Sequence, residues 1–302
     1  MKNQNIVTIN VAVCGLMLAG YSTLAQNLFV GSYGNESILE FSGGTQTTFA
    51  TGLDYPNALA FDRIGDLFEA DQSSGHIYEW AGAGTTRTTF ASGLGQPSAM
   101  AFNAAGDLFV DAGNGTTVDE YNPAGTIIST FTGFNQASAL AFDSAGNLYI
   151  SSVNGGGAGT GTITEITPKG VTSTFASGLN YPSGLAFNTA GDLFVSGGSG
   201  YDTITEITPG GSESPFASAL NYPIGLAFDN TGDLFVADGG QDSESGDITE
   251  FAVNGTRSVF SASAGKPLSL AFEPVPEPSA YALFGLGLVA LAFGFCKKKQ
   301  TV

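Results

Sequence analysis

The stretch between residues 26 and 273 contains no cysteine; the two in the chain, Cys14 and Cys296, lie in apolar segments at its ends. A body without cysteine has no disulfides and no cysteine-held metal, so it must fold by burying an apolar core. Histidine is almost missing too, occurring once at His76, beside Gly75 in a stretch that reads as a loop. A lone loop histidine is ordinarily solvated, and this one has no evident partner for work as a base. Charge is sparse, at 12% of residues, and nearly one-signed. All 27 acidic residues lie between Glu36 and Glu277, opposed there only by Arg63, Arg87, Lys169, Arg257 and Lys266. That balance argues against nucleic acid or an anionic lipid surface as a partner, and it is equally what keeps a partnerless protein soluble.

Long apolar runs are missing from the body and confined to the two ends. At the amino terminus, Lys2, an apolar stretch from Ile6 to Ala19 and the small-residue approach Ser22-Thr23-Leu24-Ala25 predict a Sec-type signal peptide over 1–25, cleaved before Gln26. The apolar stretch is short for a membrane anchor. Val13 stands before Cys14 where a lipoprotein signal needs a small residue, which argues against lipidation. At the other end, the uncharged run 280–296 predicts a transmembrane helix, and Lys297-Lys298-Lys299 begin a basic cytoplasmic tail, 297–302. That orientation leaves the body outside the inner membrane.

What the chain does have is glycine, 43 residues of it, and a recurring hairpin. Residues 181–195 read as an apolar triplet, a glycine-marked turn and a second apolar run. Leu-Phe or Leu-Tyr opens that second run, with Phe at 29, 68, 109, 194 and 235 and Tyr at 149. A period near 40 residues with four apolar runs per unit is the pattern of a β-propeller blade. Counting from the inside, strand A ends at Phe61, Phe102, Phe142, Phe187, Phe228 and Phe272, and strand B is the Leu-Phe run. Strand C carries Glu40, Glu79, Glu120, Glu165, Glu206 and Glu250, and strand D carries Phe49, Phe90, Phe131, Phe175, Phe216 and Phe260. The body opens with B, C and D and closes with a lone A, so the last A completes the first blade. The fold expected over 26–273 is therefore an all-β, six-bladed propeller of four-stranded blades, closed by hydrogen bonds. Each A–B turn begins with Asp or Asn and ends with Gly, as a type I turn with a glycine bulge requires. The strand C glutamates are expected to accept hydrogen bonds from a neighbouring strand or turn.

The form Pro-x-x-Leu-Ala-Phe-Asp-x-x-Gly-Asp-Leu-Phe-Val-Ala-Asp resembles the NHL and SMP-30/gluconolactonase-like propellers over residues 27–273. The resemblance implies the fold and leaves the activity open, since one fold hosts many. Gluconolactonase-like members hold a channel metal with carboxylate and amide side chains and typically hydrolyse lactones. Here the inner strands begin Asn57, Ser98, Ser138, Ser183, Ile224 and Leu268; they contain no carboxylate, and Asn57 is their one amide. With no nucleophile motif or phosphate loop elsewhere, an enzyme is not expected, and a channel hydrolase is kept as the alternative. Beyond Phe272, residues 274–279 include Pro276, Glu277 and Pro278. Followed by the apolar run and basic tail, they resemble the PEP-CTERM sorting signal of Gram-negative bacteria. That resemblance implies recognition of Pro276, Glu277 and Pro278 by the membrane protease exosortase, removal of the tail, and release or attachment of the body at the cell surface. It also implies an association with exopolysaccharide and biofilm matrix.

Extra loop length concentrates between strands B and C of two units, at Ser151–Gly161 and Ala237–Asp247. The B–C and D–A loops share one face of a propeller, which also carries Tyr55, Tyr181 and Tyr222 before strand A and Asp71, Asp111 and Asp238 after strand B. These six form a candidate ligand-binding face for a polysaccharide or a surface protein. The alternative is that each Tyr-Pro packs over a turn and each Asp caps one. Asp238, Asp242, Glu244 and Asp247 form a candidate calcium cluster, although their spacing matches no standard calcium loop.

Overall fold

Short apolar runs that alternate in facing, each bounded by a turn rich in glycine, asparagine or aspartate, form strands rather than helices. The computed structural model describes residues 26–275 except 114, 156–157, 199 and 240–245, and almost all of its regular structure is β. Blade I holds β1 (Leu28–Ser32), β2 (Ser37–Ser42) and β3 (Thr45–Thr51). Blade II holds β4 (Pro56–Phe61), β5 (Leu67–Asp71), β6 (His76–Trp80) and β7 (Arg87–Ser92). Blade III holds β8 (Met100–Phe102), β9 (Leu108–Asp111), β10 (Thr117–Tyr121) and β11 (Ile127–Thr132). Blade IV holds β12 (Ala137–Phe142), β13 (Leu148–Ser152), β14 (Gly161–Ile166) and β15 (Thr172–Leu179). Blade V holds β16 (Pro182–Phe187), β17 (Leu193–Gly197), β18 (Thr203–Ile207) and β19 (Glu213–Ala217). Blade VI holds β20 (Pro223–Phe228), β21 (Leu234–Asp238), β22 (Asp247–Phe251) and β23 (Arg257–Ser261), and β24 (Pro267–Phe272) follows.

The sheet order β24-β1-β2-β3 places the last strand innermost in blade I, so the described residues form six four-stranded antiparallel sheets. Leu28 pairs with Phe272 and Phe29 with Ala271. Beyond the ladder, the Glu273 N–H donates to the Asn27 carbonyl at 3.0 Å, and the Asn27 amide donates to the Glu273 carboxylate at 2.9 Å. The two ends of the body are thereby tied where every other blade has an A–B turn.

Those turns take the expected form. Asp62 Oδ1 accepts the N–H groups of Ile64 at 3.0 Å and Asp66 at 2.8 Å. Asn103, Asp143, Asn188 and Asp229 repeat this double acceptance. The closing glycines sit at positive φ, 93° at Gly65 and Gly106, where a Cβ would be strained.

The core lies between blades rather than within them. Each strand B aromatic meets the strand D ring of its own blade and the strand A ring of the next. Phe29 contacts Phe49 and Phe61 edge-to-face, both at 5.1 Å between centroids, and Phe235 contacts Phe260 at 5.1 Å and Phe272 at 5.0 Å. Such pairs add about 0.5–1.5 kcal/mol each beyond the area they bury, and here they join neighbouring sheets.

One expectation meets a different outcome. His76 is not in a loop: it opens β6 opposite Asp71, stacks on Tyr78 at 5.5 Å, and has its Nδ1 buried without a partner. The ladder extends one residue further than the turn chemistry suggested, because Asp71 already pairs. Among the described residues no helix is long and apolar enough to cross a membrane. The expected signal peptide (1–25), transmembrane helix (280–296) and sorting residues Pro276, Glu277 and Pro278 lie outside the described residues.

Candidate functional site

Six inner strands surround a central cavity of about 250 Å³. Its outermost ring is Asn57, Ser98, Ser138, Ser183, Ile224 and Leu268; small residues and then leucines or Met100 follow inward. No Asp, Glu, Lys, Arg or His lines it. The ring is divided: one arc offers an amide and three hydroxyls, the other two aliphatic side chains. All three hydroxyls already donate within the protein, Ser98 to the Asp111 carboxylate at 2.5 Å, Ser138 to the Pro182 carbonyl at 2.6 Å and Ser183 to the Tyr181 carbonyl at 3.2 Å, which leaves them to a ligand as acceptors. A channel metal of the gluconolactonase kind does not fit this lining, which has no carboxylate to hold it.

On the B–C/D–A side, Tyr222 joins the cavity wall. Tyr55 packs against Tyr33 of the first B–C loop, 4.4 Å between centroids. The Tyr55 phenol has a raised pKa, first from burial and then from the Tyr33 and Tyr222 phenols. Tyr181 precedes strand A of blade V in the same way but does not line the cavity.

All three predicted tyrosines are in the left-handed region, with φ of 75° at Tyr55, 47° at Tyr181 and 67° at Tyr222, and Gln136 joins them at 59°. The conformation has a structural cause. It turns each carbonyl onto the first free amide after strand B: Tyr55 accepts from Gln72 at 3.0 Å, Gln136 from Val153 at 3.0 Å, Tyr181 from Gly198 at 3.0 Å and Tyr222 from Gly239 at 3.2 Å. The ladder slips by a residue or more just beyond each, as between Pro56 and Ala58. The backbones therefore stitch loops together, and the three tyrosine side chains are half-buried.

Asp71, Asp111 and Asp238 are buried, not presented on that rim. Asp71 accepts the N–H groups of Asp54 at 2.8 Å and Ser74 at 3.1 Å. Asp111 accepts from the Ser98 hydroxyl and the Gly113 amide; burial raises its pKa against those bonds. Asp238 accepts the Asn221 N–H at 2.6 Å. Burial raises its pKa, opposed by that amide and Arg257 and reinforced by Asp247 and Asp202. Of the calcium candidates, Asp238 and Asp247 are cross-strand neighbours, while Asp242 and Glu244 lie outside the described residues. Among the described residues no three acidic, histidine or cysteine side chains are grouped to hold a metal.

On the opposite face, Glu165 accepts from the Tyr149 hydroxyl at 3.2 Å and Ser173 at 3.5 Å, and Glu250 from Ser258 at 3.4 Å. Glu79 and Glu120 have raised pKa values, from burial first and then from the turn carboxylates Asp66 and Asp62, and Asp107, respectively. Tyr33, Ser196 and Glu69 are contributors the sequence reading did not single out. Ser196 accepts the Gly184 N–H and donates to the Ile224 carbonyl, both at 2.8 Å, sewing blade V to blade VI.

The family model that matches the chain is the PEP-CTERM protein-sorting motif, over residues 274–299. No curated protein sequence matches the chain. Among solved structures, one from a nidogen/laminin complex is 18% identical with a TM-score of 0.69, covering 82% of this chain and 98% of its own. A gluconolactonase from Xanthomonas campestris is 15% identical, TM-score 0.64, covering 81% and 87%. Virginiamycin B lyase from Staphylococcus aureus is 14% identical, TM-score 0.60, covering 84% and 93%. At these identities the likeness is one of fold. The body is a six-bladed propeller with neighbours of the gluconolactonase and lyase type, and the tail carries a signal that implies export, recognition by exosortase and sorting to the cell surface.

Proposed function

We propose that this exported propeller is a binding module of the cell envelope or exopolysaccharide matrix, holding an uncharged glycan at the B–C/D–A face. The observation that carries the reading is the cavity mouth. A charge-free ring with one arc of amide and hydroxyl groups and one aliphatic arc, with Tyr222 in its wall and the packed Tyr33–Tyr55 pair among the loops of the same face, suits a ligand with hydroxyl edges and apolar faces. The acidic body repels polyanions, which favours neutral chains over uronic-acid polymers.

The test is binding of the protein to neutral and anionic bacterial polysaccharides, with calcium and with chelator. Saturable binding of a neutral polymer, weakened about tenfold or more by Tyr55→Ala with Tyr222→Ala and less by Tyr181→Ala, is the expected result. No binding to any polymer sinks the reading and moves weight to a purely structural matrix role. The alternative, a lactone hydrolase in the channel, draws on the gluconolactonase neighbour and lacks a matching ligand set; metal-dependent turnover of sugar lactones abolished by Asn57→Ala would establish it instead.

A further inference from the structure

Glu69 breaks the repeat in the middle of strand B. The equivalent residues of the other blades are Val30, Val110, Ile150, Val195 and Val236, all buried aliphatics. Glu69 is fully buried as well, and neither of its carboxyl oxygens has a hydrogen-bond partner. It pairs with Leu59 of β4 and Tyr78 of β6, so it shares a sheet face with Leu67 and points into the seam between blades I and II. That seam is packed by Phe29, Ile38, Leu53, Leu59, Leu67 and Trp80.

The polar groups of the seam are few. Asp71 follows Glu69 by two residues on β5. His76, Tyr78 and Trp80 share its face of β6, and the Arg87 guanidinium of β7 lies 4.3 Å from the Tyr78 ring. From blade I the facing side chains are Phe29, Ile38 and Phe49, with Glu40 two residues beyond Ile38 on the same side of β2. None of these hydrogen-bonds to Glu69. An unpaired carboxylate in such a place is far costlier than a neutral carboxyl. Burial above all, and then Asp71, hold the pKa of Glu69 well above the ordinary carboxylate range, with Arg87 opposing.

We propose that Glu69 is an acid latch on the seam between blades I and II, closed while the carboxyl keeps its proton and loosened when it ionises. The latch reaches the rim through Asp71, which holds the Asp54 amide, and through Gln72 and Ser73, whose N–H groups donate to the Tyr55 and Asp54 carbonyls. Opening the seam frees the loop that carries Tyr55. Because the folded-state pKa is raised, the stabilisation is complete below the ordinary glutamate pKa and is lost as pH rises through the folded value.

The experiment is amide hydrogen exchange across 52–56 and 72–75, corrected for the intrinsic rate, on the full chain in detergent without ligand. Wild type, Glu69→Gln and Glu69→Ile are compared over a pH series together with their Tm. In wild type, corrected exchange rises by up to about tenfold per pH unit above the ordinary carboxylate pKa and levels off beyond the folded one. In both variants that rise is missing, and Glu69→Ile has the higher Tm at alkaline pH. Parallel profiles in wild type and Glu69→Ile overturn the latch, as does seam exchange in wild type that does not change with pH. Neither outcome bears on glycan binding.

Discussion

At the scale of single residues, chemistry that looks functional in this chain is largely backbone service. Asp71 shows it: an acid after strand B reads equally as a rim ligand or a cap, and the structure makes it a cap on two amides. Asp71→Ala leaves both N–H groups without their acceptor and is expected to destabilise the protein by about 1–3 kcal/mol, read from the urea midpoint at constant slope. Asp71→Asn, which keeps one carbonyl oxygen, should recover part of that loss. The tyrosines divide differently. Tyr55 and Tyr222 were legible because Tyr-Pro repeats before strand A, but the packing of Tyr55 on Tyr33 was not, since Tyr33 precedes Gly34 and belongs to no repeat. Glu69 left a signal in the sequence, a charge at a position where five other units have Val or Ile; it is visible only once the units are aligned strand by strand.

At the scale of elements, the seven-residue spacing from Phe61 to Phe68, kept in every continuous blade, was enough to set the A–B register and the blade count. A fixed turn leaves the chain one way to pair its strands. The inner strands also have a rule that spacing does not reveal. The residue after the cavity ring is Ala58, Ala99, Ala139, Gly184, Gly225 or Ser269, and a Cβ on Gly184 would run into the Ile224 carbonyl of the next blade. The backbones approach closely there, where Ser196 joins the same two blades. Gly184→Ala should therefore force blades V and VI apart and destabilise by about 1–3 kcal/mol by overpacking. An unchanged urea midpoint would show that the contact relaxes freely. The B–C loops resist this kind of reading, because their variable length carries no pairing constraint.

At the scale of the molecule, closure in blade I decides whether six marginal sheets behave as one cooperative unit. β24 joins the ring across 235 or more residues of sequence separation, so its loss exposes the β1 edge and the Phe29 face together. The geometry of the join leads to a sharper test. Counting Phe272, Glu273, Pro274, Val275, then Gln26, Asn27, Leu28 and Phe29, a direct link from Val275 to Gln26 restores the seven-residue spacing of the other A–B turns. With Glu273→Asn and Gln26→Gly the link also gains the side-chain acceptor and the positive-φ residue those turns use. New ends can be opened between Gly43 and Gly44, where a Cβ at either position would meet nothing within 4 Å. Such a circular permutant is expected to fold with a Tm at or above that of the parent, because a covalent turn replaces the pairing of two free ends in every unfolding event. A permutant that fails to fold would mean that blade I is not equivalent to the others, and that the order of synthesis, with β24 arriving last, is part of how the ring closes.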